Sequence, residues 1–220
     1  MLALTATAAC AAATGGAHAG LVYENAPVSA QGGVSDAFSS NGAYAFGQSL
    51  AQRFSIEDAY DLTGLSFWGS SQDFDGTDLA NIVAFNVVVW NADFTAQVFN
   101  WTIATNAFAL TATGNENVSG GAEYRFDTAI LGTLSAGTYN INIGGVLANG
   151  SGNAFVWSAG ADETGRSFTE DPTWGTWLAV PNPIGDDGFG AFRLDGTIVP
   201  APAAFAALAL AGGLGRRRRR

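Results

Sequence analysis

Ile82-Val83-Ala84-Phe85-Asn86-Val87-Val88-Val89-Trp90 is the stretch that decides the fold class. Its residues are β-branched or aromatic at most positions, and it is apolar at neighbouring as well as alternate positions. A strand covered on both faces has that character. Gly137-Thr138-Tyr139-Asn140-Ile141-Asn142-Ile143 alternates instead. A period of two places Tyr139, Ile141 and Ile143 inward and Asn140 and Asn142 outward. Further strands are expected at Gln52–Ile56, Leu62–Trp68, Val98–Ala104, Glu123–Phe126, Ala154–Ser158 and Ala191–Ile198. Turn-rich stretches at 70–78, 114–121, 148–153, 159–165 and 181–188 separate them. Residues 20–50 are Gly- and Ser-rich and read as an irregular lead-in with a first strand. The expected fold is all-β, an antiparallel jelly-roll-like sandwich of about eight to ten strands in one domain, residues 20–197.

The composition excludes much chemistry. The chain has one Cys, Cys10, and one His, His18, both before residue 20, and it has no Lys. The body therefore lacks thiol chemistry, disulfides, Cys/His zinc sites and every His-based triad. Five of the nine basic residues are Arg216 to Arg220, which leaves Arg53, Arg125, Arg166 and Arg193. All nineteen acidic residues lie in the body, so four arginines against nineteen carboxylates leave it at −15. A surface so acidic repels nucleic acid and anionic membranes, and no nucleic-acid partner is expected.

The ends of the chain differ from the body. From Val199 it reads VPAPAAFAALALAGGLGRRRRR, a Pro-containing tetrapeptide, an apolar run and an arginine block. An apolar segment ending in cations is how a chain halts in a membrane with its C-terminus on the cytoplasmic side. Residues 203–215 fall short of the roughly 20 needed to cross a hydrocarbon core, and adding 198–202 approaches that length. At the other end, residues 1–19 are small and apolar, and Ala17-His18-Ala19 before Gly20 is an A-x-A cleavage pattern of a signal peptide. No Lys or Arg precedes the apolar stretch, and a start codon lying further upstream is the favoured reading.

The tail resembles the PEP-CTERM sorting signal of Gram-negative bacteria. Val199, Pro200, Ala201 and Pro202 match its short motif, residues 203–215 its hydrophobic helix, and Arg216, Arg217, Arg218, Arg219 and Arg220 its basic membrane stop. Ala201 stands where that family usually has Glu, a Pro-Ala-Pro form of the motif. The resemblance implies processing by exosortase, a membrane protease, after transient residence in the inner membrane. The body adds Ala51-Gln52-Arg53-Phe54-Ser55-Ile56, Leu62-Thr63-Gly64-Leu65-Ser66-Phe67-Trp68-Gly69, Leu134-Ser135-Ala136-Gly137-Thr138-Tyr139 and Ala191-Phe192-Arg193-Leu194-Asp195-Gly196-Thr197. This succession resembles the β-sandwich domains that PEP-CTERM proteins carry ahead of the anchor. That likeness implies a fold and a location, and no activity.

Two segments could form sites. Asp73, Asp75 and Asp78 place three carboxylates in a Gly-containing turn, as calcium loops do, although Ala84 stands where an EF-hand-like loop needs its twelfth ligand. The other reading is a solvated acidic turn; no cofactor is expected beyond this calcium candidate. Trp174 and Trp177 lie near Arg166, Glu170 and Asp171, an arrangement that suits stacking on sugars, or alternatively plugging of the sandwich edge. Trp68, Trp90, Trp101 and Trp157 read as core. Glu57, Glu123, Glu163 and Glu170 are the residue type that hydrolyses glycosides, and no spacing singles out a pair. The expectation is a non-enzymatic, exported protein. It would be anchored in the envelope and then reach the cell surface or extracellular matrix, structural or adhesive in exopolysaccharide. The alternative is a carbohydrate- or calcium-binding module.

Overall fold

The structure is a computed structural model; it describes residues 19–35, 49–71, 82–117, 120–148, 155–161, 168–171, 176–179 and 188–200. The described residues are all-β. In chain order the strands are β1 (Gly20–Asn25), β2 (Pro27–Val34), β3 (Ser49–Ile56), β4 (Tyr60–Ser71), β5 (Ile82–Asn91), β6 (Gln97–Ala104) and β7 (Ala109–Glu116). They continue with β8 (Ala122–Thr128), β9 (Gly132–Leu134), β10 (Gly137–Leu147), β11 (Phe155–Gly160), β12 (Phe168–Asp171), β13 (Thr176–Ala179), β14 (Gly188–Phe189) and β15 (Phe192–Ile198). All pairings are antiparallel.

The smaller sheet runs β13-β12-β3-β10-β5-β6. The decisive stretch at 82–90 thus becomes β5, interior between β10 and β6; Phe85, Val87 and Val89 enter the core, and Ala84 and Val88 on the alternate face are buried as well. The larger sheet is organised on β4. One edge of β4 pairs with β15 and then β11, and the opposite edge with β9 and then β8. β1 and β2 flank β15 and β11, and β7 flanks β8. More strands form than the eight to ten expected, because the lead-in supplies two strands, β7 forms, and the short β9, β12, β13 and β14 add to the rest.

Side chains from both sheets enclose one core. Phe85 of the smaller sheet meets Phe67, Phe126 and Phe155 of the larger at ring-centroid distances of 4.9, 5.0 and 4.9 Å. Phe67 and Phe126 stack at 4.9 Å, and Phe108 closes the group. A second aromatic group continues the seam, with Phe54 against Tyr23, Tyr139 and Phe192. Ser35, fully buried at the end of β2, joins the sheets through polar atoms. Its Oγ donates to Ile143 O and accepts from Leu50 N, while its own N–H donates to Phe155 O.

Three expectations change. Asn140 and Asn142 do lie on the face opposite Ile141, but both are buried. They are held by polar partners: Asn142 Nδ2 donates to Leu50 O, Asn140 Nδ2 donates to Asn91 O, and Arg53 Nε donates to Asn140 Oδ1. Buried amides of this kind are tolerated because their hydrogen bonds are made. The lead-in at 20–34 holds two strands, β1 and β2, where a single first strand was expected. Its glycines allow backbone contact, since a Cβ on Gly32 would fall 1.9 Å from Trp157 O. Finally, β7 occupies part of the expected turn at 114–121. The C-terminal helix expected at 203–215 lies outside the described residues. Among the described residues, no helix is long and apolar enough to cross a membrane.

The tryptophans divide by face. Trp157 is in the core, its Nε1 donating to Ala191 O, and Gly190 beside it must lack a side chain. Its φ is 83°, and a Cβ there would meet Gln52 Cβ at 2.8 Å. Trp68 lies on the outer face of the larger sheet, beneath Arg125. Trp101 is only partly buried and stacks on Phe99 at 4.7 Å. Truncating Phe67 removes a ring that touches four others from both sheets. Phe67→Ala is expected to cost about 3–5 kcal/mol in urea unfolding, against little change for Thr102→Ala on the exposed face of β6.

Candidate functional site

The outer face of the larger sheet gathers most of the described charge pairs. Register places Arg193 of β15 and Asp127 of β8 on either side of Ser66, and Asp195 beside Gly64. Residues two apart on a strand share a face, so Arg125 reaches Asp127 and Arg193 reaches Asp195. The ion-pair contacts are 2.7 and 2.8 Å. Ser66 Oγ donates to Asp127 Oδ1, and Arg125 Nε donates to the same oxygen at 2.8 Å. Asp195 holds the Arg193 guanidinium above its ordinary pKa by hydrogen bonding, with further support from the charges of Glu24 and Asp127. The partly exposed pairs orient their side chains more than they stabilise the fold.

Between these pairs lies an open groove of about 410 Å³. Its floor is Gly64 and Ser66, and its walls carry Asp195 on one side and Arg125, Asp127 and Thr128 on the other. Gly64 leaves the floor open: the nearest atoms to a Cβ there are Asp195 Cβ at 3.5 Å and Asp195 Oδ2 at 3.7 Å. The Arg125 guanidinium offers donors, while the carboxylates and hydroxyls offer acceptors. One arginine, Arg125, lines the groove against two aspartates, Asp127 and Asp195, so its walls carry a slight negative charge. Such a surface can hold a neutral, hydroxyl-rich molecule; it has no arrangement for holding an anion alone.

Glu123, on the same face further along β8, is buried. Its Oε1 accepts from Ser158 Oγ, and its Oε2 accepts from Thr113 Oγ1 at 2.8 Å and Asn115 Nδ2 at 3.0 Å. Hydroxyl and amide donors therefore tie β7, β8 and β11 to one carboxylate. Next to it, Asn117 Nδ2 donates to Ser70 Oγ and Ser71 O, and its Oδ1 accepts from Gly121 N. Glu123 is a structural clamp in this geometry. Glu57, by contrast, is exposed in the β3–β4 turn.

The residues singled out in the sequence are placed unevenly. Asp73, Asp75, Asp78 and Trp174 lie outside the described residues, as do Ala201, Pro202 and Arg216 to Arg220. Trp177 is in β13, in register with Glu170 of β12. Val199 follows β15 directly, its N–H donating to Ala59 O, and Pro200 beyond it is exposed. Among the described residues, no group of three or more His, Cys, Asp or Glu side chains could hold a metal ion. The groove was not foreseen. Its signal was the repeated Arg-x-Asp of Arg125/Asp127 and Arg193/Asp195, which only a shared sheet face brings together.

The two kinds of carboxylate separate by mutation. Glu123→Ala strands three donors and should lower stability by about 2–3 kcal/mol in urea unfolding. Asp127→Asn, at a partly exposed ion pair, should change it by less than about 1 kcal/mol.

The chain matches no family model, and none of the curated proteins matches it.

Proposed function

We propose that the chain is an exported, non-catalytic surface or extracellular-matrix protein, built on a jelly-roll-like sandwich and sorted through its C-terminal tail. The order of parts carries this reading. β15 ends at Ile198, Val199 is pinned to Ala59, and the Pro-Ala-Pro motif starts at that exit, so the tail begins where the folded body ends. A protease would find the motif beside the body without unfolding it. The jelly-roll-like topology is supported by the way successive strands pass between the sheets, β3 to β4 to β5 and β9 to β10 to β11. The proposed partners are an exosortase-type membrane protease, the inner membrane in transit and extracellular polysaccharide. The acidic, solvated body suits a structural or adhesive role in a hydrated matrix.

A second reading, a carbohydrate-binding module, is favoured by the groove over Gly64 and Ser66. Its lining sets the Asp127 and Asp195 carboxylates beside the Arg125 guanidinium, groups that suit sugar hydroxyls.

Two experiments test these readings. In cells with and without the exosortase-type protease, fractionation and intact mass of the secreted protein should show a C-terminus trimmed near 199–202. A secreted chain that still ends at Arg220 overturns the sorting proposal. For the groove, a neutral hexose oligosaccharide titrated into isotope-labelled chain should shift the amide signals of Gly64, Ser66 and Thr128. Gly64→Val should abolish those shifts; unchanged binding by that variant excludes the groove.

A further inference from the structure

We propose that β6 is a self-association edge, through which two copies of this chain pair antiparallel along Gln97–Ala104 and extend the smaller sheet across a two-fold axis. β6 is the terminal strand of that sheet among the described residues. In an antiparallel ladder only half of an edge strand's N–H and C=O groups face its neighbour, so the other half of those on β6 turn away from β5. Gln97, Val98, Asn100, Thr102 and Ala104 are exposed, Val98 at 39%.

Edge strands are ordinarily guarded by charge, proline or brevity. Gln-Val-Phe-Asn-Trp-Thr-Ile-Ala has none of these over eight residues. The other described edges differ. β7 ends in Glu116 and is bent by Gly114 in a left-handed conformation, and β1 carries exposed Glu24 opposite Arg193. At the far side of the smaller sheet, β13 is only four residues long.

Charge selects the occupant. The body is acidic overall, so two copies repel over most of their surfaces. At β6 they can approach without opposing carboxylates. The 3-10 turn after it, Thr105–Ala107, is uncharged as well. An antiparallel pairing about a two-fold axis near Asn100 and Trp101 brings like faces together. Phe99, Trp101 and Ile103 of one copy then meet the same set of the other, and Asn100 and Thr102 meet on the opposite face. The aromatic set is already ordered. Phe99 stacks on Trp101 and sits where a Cβ on Gly132 would fall, 2.5 Å from its ring. A single eight-residue ribbon buries less than the roughly 1,200 Å² of a standard stable interface, so the contact is weak and reversible. It tightens with salt as the repulsion between copies is screened. The proposal is independent of the export reading.

Sedimentation equilibrium of the full chain across a salt series tests it. A monomer–dimer equilibrium that strengthens with salt is expected. Asn100→Glu, which sets two carboxylates against each other at the axis, should weaken it about tenfold, while Thr111→Glu on β7 should leave it unchanged. A chain that is monomeric at every salt concentration overturns the proposal. So does self-association that Asn100→Glu leaves intact, because the contact then lies elsewhere, for example at the apolar tail. Should Asn100→Glu fail to fold, Asn100→Cys in a Cys10→Ser background is the second measurement. Mild oxidation should give a covalent dimer with that variant and none with Thr111→Cys. Equal crosslinking of both, or of neither, overturns the pairing.

Discussion

The contact between Phe85 and the three phenylalanines Phe67, Phe126 and Phe155 holds the two sheets together. The body has no cysteine with which to form a disulfide, so apolar burial must supply the stability that crosslinks provide in many exported domains. Aromatic rings suit that task because each buries a large area and packs edge-to-face with its neighbours. Five rings at this point come from four strands and the loop that carries Phe108, from both sheets. The register of β4, β5, β8 and β11 is consequently fixed by one cluster. A one-residue slip in any of them would turn a phenylalanine out of the core.

That fixed register places the polar groups on the outer faces. Phe67 and Phe126 pointing inward require Ser66, Trp68, Arg125 and Asp127 to point outward. Phe192 and Leu194 do the same for Arg193 and Asp195. The groove is therefore a consequence of core packing, with Gly64 leaving its floor open. Asn140 and Asn142 show the opposite case, polar side chains on an outer face that is itself buried and satisfied by Leu50 O, Asn91 O and Arg53.

Legibility in the sequence followed the strength of the apolar pattern. β10 and β15 could be read because their inward residues are large and their neighbours contrast with them, and β5 because its β-branched and aromatic run is nearly unbroken. β7 could not, since Ala109–Glu116 is exposed almost throughout and is held by its ladder with β8 and by polar bonds to Glu123. β2 was obscured by small residues such as Gly32, whose role is close backbone approach to β11 and which composition renders as coil. The groove was illegible for another reason. Its walls come from residues about sixty positions apart, brought together by pairing with β4 on both edges. A pattern along the chain carries no information about that juxtaposition. The buried environment of Glu123 was hidden in the same way, since its donors lie on β7 and β11.

Charge connects the core to the surface. Of the described arginines, Arg125 and Arg193 are paired with aspartates on their own strands, and Arg53 serves Asn140 and Ala92 O. The described cations are thus engaged in holding side chains or loops of the same body. Glu24, Glu57, Asp58, Asp61, Asp93 and Glu116 stay exposed, and Asp93 is held below the ordinary carboxyl pKa by hydrogen bonds from Thr95. Exposed carboxylates spread in this way keep the molecule solvated and apart from its copies. Repulsion of this kind is spread over the surface and depends on salt, whereas the β6 ladder is local and does not. Their balance makes ionic strength, rather than sequence-specific recognition, the variable that sets whether copies of this chain meet.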